Sequence, residues 1–192
     1  MRETVVIFVK APQAGRVKTR LGKEIGMARA AALFRTMTER TIAEAEGGPW
    51  RTVLAVDPPW AVHKTASFWP RRLPRVVQGP GDLGARMGRV FQNVQTGPVI
   101  IIGADAPDLR TRHLREALHK LRGADAVFGP AEDGGYWLIG LARRRSAPRL
   151  FDGVRWSTKH ALADTLKTLP EKFDVRMLET LRDIDEAKDL HL

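Results

Sequence analysis

The sequence contains no cysteine, so neither a disulfide framework nor a thiolate metal centre is open to it. Its five histidines (His63, His113, His119, His160 and His191) show no H-E-x-x-H or other paired zinc spacing. Serine is scarce as well. Ser67, Ser146 and Ser157 are all there are, and none sits in G-x-S-x-G, which excludes the hydrolase nucleophile of that motif. Long apolar runs are missing too. The first, Val5 to Val9, is too short for a signal h-region or a membrane span, and a cytoplasmic location is expected. Aromatics make up 7% and do not interleave with the cations as they do in single-strand binders, so nucleic acid is not an expected partner.

What the chain has in excess is positive charge: 32 Lys and Arg against 22 Asp and Glu, a net +10. Such an excess favours anionic partners, among them nucleotides and sugar phosphates, without choosing between them. Clusters such as Arg71-Arg72 and Arg143 to Arg145 read as solvated surface.

The most informative stretch runs from Val5 to Leu21. Val5 to Val9 reads as a strand buried on both faces. The loop beyond it holds Pro12, Gly15, Thr19 and four cations: Lys10, Arg16, Lys18 and Arg20. A buried strand feeding a basic, glycine-containing loop and then a helix presents phosphate-binding groups at the carboxyl end of a parallel sheet. The spacing is not that of a Walker A loop.

Further elements follow in alternation. Helical periodicity predicts a helix over about 25–46 and another over about 83–94, the latter with Leu83, Met87, Val90, Phe91 and Val94 on its buried face. A helix with a buried stripe of Leu114, Ala117, Leu118 and Leu121 comes next, and Leu162, Leu166 and Leu169 mark a late one. Strands are expected over 51–56, 73–78, 99–103, 125–128, 136–139 and 173–175. Trp60 to Pro70 reads as a loop with one helical turn, and 183–190 as one or two helical turns. Strands alternating with helices through the first 130 residues predict a mostly parallel sheet covered on both faces. The close pair of strands near 125–139 reads most simply as an antiparallel edge.

Several smaller motifs bear on chemistry. Gly79 to Gly84 spells G-x-G-x-x-G, but Pro80 removes an N–H and the preceding strand is weak, so a turn capped by Asp82 is the preferred reading over a dinucleotide site. Asp105 follows the 99–103 strand, at the same sheet edge as the basic loop if the strands are parallel, where hard oxygens near phosphates suit Mg²⁺ or Mn²⁺. Asp108 reads as a ligand or as the cap of the next helix. Glu132-Asp133-Gly134-Gly135 is a hairpin signal, and Asp133 there is a candidate general base for an acceptor hydroxyl. Trp156-Ser157-Thr158 offers either a stacking platform or a core aromatic.

Taken in order, these residues resemble a family of bacterial glycosyltransferase-like proteins with the GT-A (nucleotide-diphospho-sugar transferase) fold, which includes transferases of arsenosugar biosynthesis. The resemblance is carried by Phe8 to Pro12 with Gly15 to Leu21, by Gln78-Gly79 with Gly81 to Gly84 and Arg86-Met87, and by Gly103 to Leu109. It continues through Gly129-Pro130 and Asp133 to Leu141, and ends at Asp183-Ile184-Asp185. It implies a three-layer α/β/α fold with a mostly parallel central sheet. One domain over 1–192 is implied, with a nucleotide-binding part to about residue 110 and an acceptor side after it. It also implies that Lys10, Ala11, Pro12, Gly15, Lys18, Thr19 and Arg20 bind nucleotide phosphates, that Gln78 and Gly79 contact the base, and that Asp105 and Asp185 hold a divalent metal. Ala104, where a hydroxyl residue is usual, and Glu186-Ala187, where Thr-Pro is usual, depart from the family's pattern.

The expected function is a metal-dependent transferase that moves a glycosyl group from an NDP-sugar to a small-molecule acceptor. The alternatives are a nucleotidyltransferase that uses an NTP and releases pyrophosphate, a non-catalytic nucleotide- or nucleic-acid-binding module, and a dinucleotide oxidoreductase.

Overall fold

The structure, a computed structural model, describes residues 3–63, 69–94, 97–144 and 148–190. Ser67, Arg145, Ser146, His191 and the 64–68 portion of the loop expected after Trp60 lie outside the described residues.

Seven strands form one sheet: β1 (Thr4–Lys10), β2 (Arg51–Asp57), β3 (Arg75–Val77), β4 (Val99–Ile102), β5 (Ala126–Pro130), β6 (Tyr136–Leu141) and β7 (Val175–Met177). Their spatial order is β3-β2-β1-β4-β6-β5-β7. Every pairing is parallel except the two made by β6, against β4 and β5. The order places β1 beside β4, so Lys10 and Asp105 leave the sheet at one edge. The mostly parallel α/β architecture is therefore as expected.

The alternation of β1 explains the three layers. Val5, Ile7 and Val9 turn to one face, where they join Ile42, Leu114 and Leu118. Val6 turns to the other and joins Met87, Val90 and Phe91. The first face is covered by α2 (Met27–Ala45) and α4 (Thr111–Lys120), and the second by α3 (Leu83–Asn93) and α5 (Ala161–Lys167). Burial of each such side chain contributes about 1.5–3 kcal/mol, so a strand buried on both faces holds firmly.

The helix expected over about 25–46 is α2, and a short helix that was not expected, α1 (Thr19–Ile25), precedes it, the two separated where Gly26 takes φ 94. Four expectations need correction. The last strand lies two residues later than its apolar pattern suggested. β6 is no edge: the hairpin after β5 turns it back antiparallel, and it then inserts between β5 and β4. Asp108 is exposed and does not cap α4, whose cap position is Arg110 with its N–H bonded to His113 Nδ1. Leu83 is 43% exposed rather than buried with Met87 and Val90. The tail carries a single 3-10 turn at 187–190, within the one or two turns expected there.

Candidate active site

A cleft of about 710 Å³ opens at the carboxyl end of β1 and β4. One wall is the basic loop. Val17 anchors it by packing on Ala31 and Phe34. The next residue, Lys18, takes a left-handed conformation (φ 44, ψ 47) and drives its side chain inward, where it is only 7% exposed. Its Nζ lies 3.0 Å from Asp105 Oδ2 and 2.5 Å from Asp185 Oδ1. Burial alone would lower the Lys18 pKa, but Asp105 and Asp185 together outweigh it and hold the ammonium above its ordinary value. Lys10, Arg16, Thr19 and Arg20 also line the cleft, and its three cations pair with no acid among the described residues.

The opposite wall is acidic. Asp105 is placed by the turn after β4, and Asp133 by the hairpin between β5 and β6. Asp133 Oδ1 accepts from Gly135 N–H at 2.8 Å, so the residue serves the turn and faces the cleft at once. Asp183 and Asp185 arrive on the tail after β7. That tail is stitched along the sheet: Leu178 N–H donates to Phe128 O, Leu181 N–H to Pro130 O, and Ile184 N–H to Asp105 O. The Asp-Ile-Asp alternation puts Ile184 into an apolar cluster with Leu21, Ala30 and Met37, while both acids line the cleft. Burial, then the neighbouring Asp133, Asp185 and Asp105, push the Asp183 carboxyl up to about 6.

A third group closes the far end. Gln78 follows β3 and is 3% exposed. Its Nε2 donates to Val9 O and Ala55 O, fixing the amide, and its Oε1 accepts from Arg86. Arg86, one turn into α3, also donates to Gly81 O and lies 3.4 Å from Asp57. Asp82 caps α3 through Ala85 N–H, as the turn reading of the glycine-rich segment expects. Trp156 belongs to an aromatic cluster with Tyr136 and Phe151 and also lines the cleft. Burial pushes the Tyr136 phenol upward.

Of the residues singled out from the sequence, Lys10, Lys18, Thr19, Arg20, Gln78, Asp105, Asp133 and Asp185 therefore meet in one cleft. Ala11 is buried, and Ala11, Pro12, Gly15 and Gly79 do not line it. Among the lining residues that had been given no role are Asp183 and Arg86. The period-two pattern of the tail is a signal for the first; the place of Arg86 one turn beyond the glycine-rich cap is a signal for the second.

Among the described residues no group of three or more His, Cys, Asp or Glu is arranged to hold a metal ion. Asp105 and Asp185 nonetheless fit a shared divalent ion. Their oxygens already converge on one cationic atom, and hard oxygen donors are the type Mg²⁺ or Mn²⁺ takes, with phosphate oxygens and water filling the rest. Among the described residues no helix is long and apolar enough to cross a membrane.

The fold is nucleotide-diphospho-sugar transferase-like. Residues 41–158 match the model of a bacterial family described as "Uncharacterized protein conserved in bacteria (DUF2064)", and the chain belongs to that family. It is similar over 99% of its length, at 30% identity and a TM-score of 0.90, to a provisionally assigned nucleotide-diphospho-sugar transferase from Desulfovibrio desulfuricans G20, covering 85% of that chain. At 13% identity and a TM-score of 0.61 it shares its fold with the inositol-1-phosphate CTP transferase from T. maritima, with coverage of 100% and 92%. The manganese complex of Rv0371C from Mycobacterium tuberculosis H37Rv is a further fold relative, at 16% identity, a TM-score of 0.55 and coverage of 98% and 96%. No curated protein sequence matches the chain.

Proposed function

We propose that this protein is a metal-dependent transferase that uses a nucleotide-activated sugar and moves its glycosyl group to a small-molecule acceptor. The observation that carries the reading is the meeting of Lys18 with Asp105 and Asp185 in a cleft whose other wall holds Lys10 and Arg20. Cations on one side and convergent carboxylates on the other are what a diphosphate with a divalent ion requires. The provisional assignment of the Desulfovibrio relative supports the same reading.

In this reading Lys10, Lys18, Thr19 and Arg20 hold the diphosphate, and Ala11, Pro12 and Gly15, which lie off the cleft, shape the loop that carries them. Gln78 faces the base. Asp105 and Asp185 would hold Mg²⁺ or Mn²⁺, which when bound supplies charge neutralisation for the departing diphosphate. Asp133 accepts the proton of the acceptor hydroxyl, and Trp156 with Tyr136 forms the acceptor's apolar wall. The reading keeps a mainly nucleotide-binding part to about residue 110 and an acceptor side after it, with Asp185 reaching back from the later part to the metal. The protein would work in the cytoplasm. The resemblance to transferases of arsenosugar biosynthesis makes their acceptors a natural first panel.

The fold shared with a CTP transferase supports a second reading, a nucleotidyltransferase built on the same loop. Product analysis separates the two. With Mn²⁺ and a panel of acceptors, an NDP-sugar should yield NDP. Release of pyrophosphate from an NTP, with NDP-sugars untouched, would replace the first reading by the second.

A further inference from the structure

A divalent ion cannot take the two carboxylate oxygens that now hold Lys18 while the ammonium stays on them. Nζ of Lys18 bonds to one oxygen of Asp105 and one of Asp185, and the side chain is almost wholly buried. An ammonium donates three hydrogens from a single atom, so it fills the space between two acceptors and supplies the positive charge they attract. A divalent ion on the same oxygens would meet a like charge at contact distance.

The surroundings show which way Lys18 can yield. Val17 is locked into the Ala31 and Phe34 cluster, so the backbone at this point is held. The lysine stem is flexible, with its charge at the tip. The same cleft carries Lys10, Arg16 and Arg20, exposed and without acidic partners among the described residues. Turning away from the carboxylates therefore brings Lys18 toward like charges, which is unfavourable until an anion arrives among them.

We infer that Lys18 is the internal counter-cation of the Asp105–Asp185 pair, and that a divalent ion binds there only by displacing its ammonium toward the phosphate-binding side of the cleft. The inference rests on the metal reading proposed above. It makes ion and phosphate mutually dependent. A phosphate gives the displaced Lys18 a new partner, and the ion frees Lys18 to meet the phosphate. Such coupling is reciprocal by thermodynamic necessity. The left-handed turn at Lys18 and the tail that delivers Asp185 then act as one ordering device for substrate assembly.

Two measurements test it. The first uses the wild-type protein: acetylation of folded protein with an amine-reactive ester, followed by mass spectrometry of the Lys18 peptide. Mn²⁺ should raise the labelling rate of Lys18 several-fold and leave the exposed Lys167 unchanged. The second is calorimetric titration of Mn²⁺ into wild type and Lys18→Met, where the variant should bind roughly tenfold more tightly, within the range seen for coupled sites. Binding to the variant alone would also support the inference. Measurable Mn²⁺ binding by wild type with Lys18 labelling unchanged, or a variant that binds no more tightly, overturns it while the metal reading stands. Failure of both proteins to bind Mn²⁺ overturns the metal reading as well. If Lys18→Met does not fold, the labelling of wild type decides.

Discussion

The Asp105 carboxylate lies against Gly103. A Cβ at that position would lie 2.8 Å from Asp105 Oδ1, so any larger residue pushes the carboxylate away. The carboxylate accepts from Lys18 of the basic loop, and the backbone carbonyl of the same residue accepts from Ile184 N–H. We expect Asp105→Ala to abolish Mn²⁺-dependent nucleotide binding while the protein still folds. Calorimetry in which the variant keeps wild-type affinity with Mn²⁺ present would remove Asp105 from the site. Gly134 makes a different residue-scale case. It has φ 85, and a Cβ there would sit 2.3 Å from the carbonyl oxygen of Lys159. Gly134→Ala should lower stability by about 1–3 kcal/mol from backbone strain alone, with the backbone clash adding to it. A melting temperature equal to wild type would show that the hairpin and the 154–160 segment can separate without cost.

At the scale of elements, the segment that carries Trp156, Ser157 and Thr158 is held to α5 by one ion pair. Arg155 donates to both oxygens of Asp164, at 2.7 and 3.0 Å. These bonds lower the Asp164 pKa from 3.8 to about 2, against the opposing effect of burial. The folded state thus binds this proton less readily than the unfolded chain does. The pair's contribution is complete above about pH 4 and is lost as the pH falls through about 2. The stability gap between wild type and Asp164→Asn should therefore be constant from pH 7 to about pH 4 and narrow by pH 3, as read from urea midpoints. A gap that stays constant to pH 3 would contradict this account. Elements of this kind were only partly legible in the sequence. β1, β4 and α4 announced themselves through unbroken or periodic burial, as did the cap at Asp82. α1 was hidden because its seven residues, TRLGKEI, hold only two large apolar side chains and a glycine, too few to show a helical period. β7 was misplaced because a three-residue edge strand with two exposed positions carries almost no pattern.

At the scale of the whole molecule, the site exists because segments far apart in the sequence meet, Lys18 with Asp185 above all. Sequence pattern brought Lys18 and Asp105 to one sheet edge, since parallel strands followed by loops share a carboxyl end. It could not bring the tail there: nothing local in residues 178–185 encodes pairing with Phe128 and Pro130 or the approach to β4. That contact was suggested by family resemblance, and its physical cause is tertiary. Ile184, 8% exposed, plugs the cluster formed by Leu21, Ala30 and Met37, and so fastens the tail to both α1 and α2. Removing its side chain should leave a cavity and cost roughly 2–4 kcal/mol, a fall in melting temperature of about 4–16 °C for a chain of this size. Because Asp183 and Asp185 flank it, the loss should extend to the site. Ile184→Ala should weaken Mn²⁺ binding under conditions where the variant is still fully folded, since the freed tail holds Asp185 less firmly beside Asp105. Circular dichroism fixes the folded range and calorimetry within that range reads the affinity. Unchanged Mn²⁺ affinity alongside the lowered melting temperature would mean that the tail contributes to the core but does not position the carboxylate.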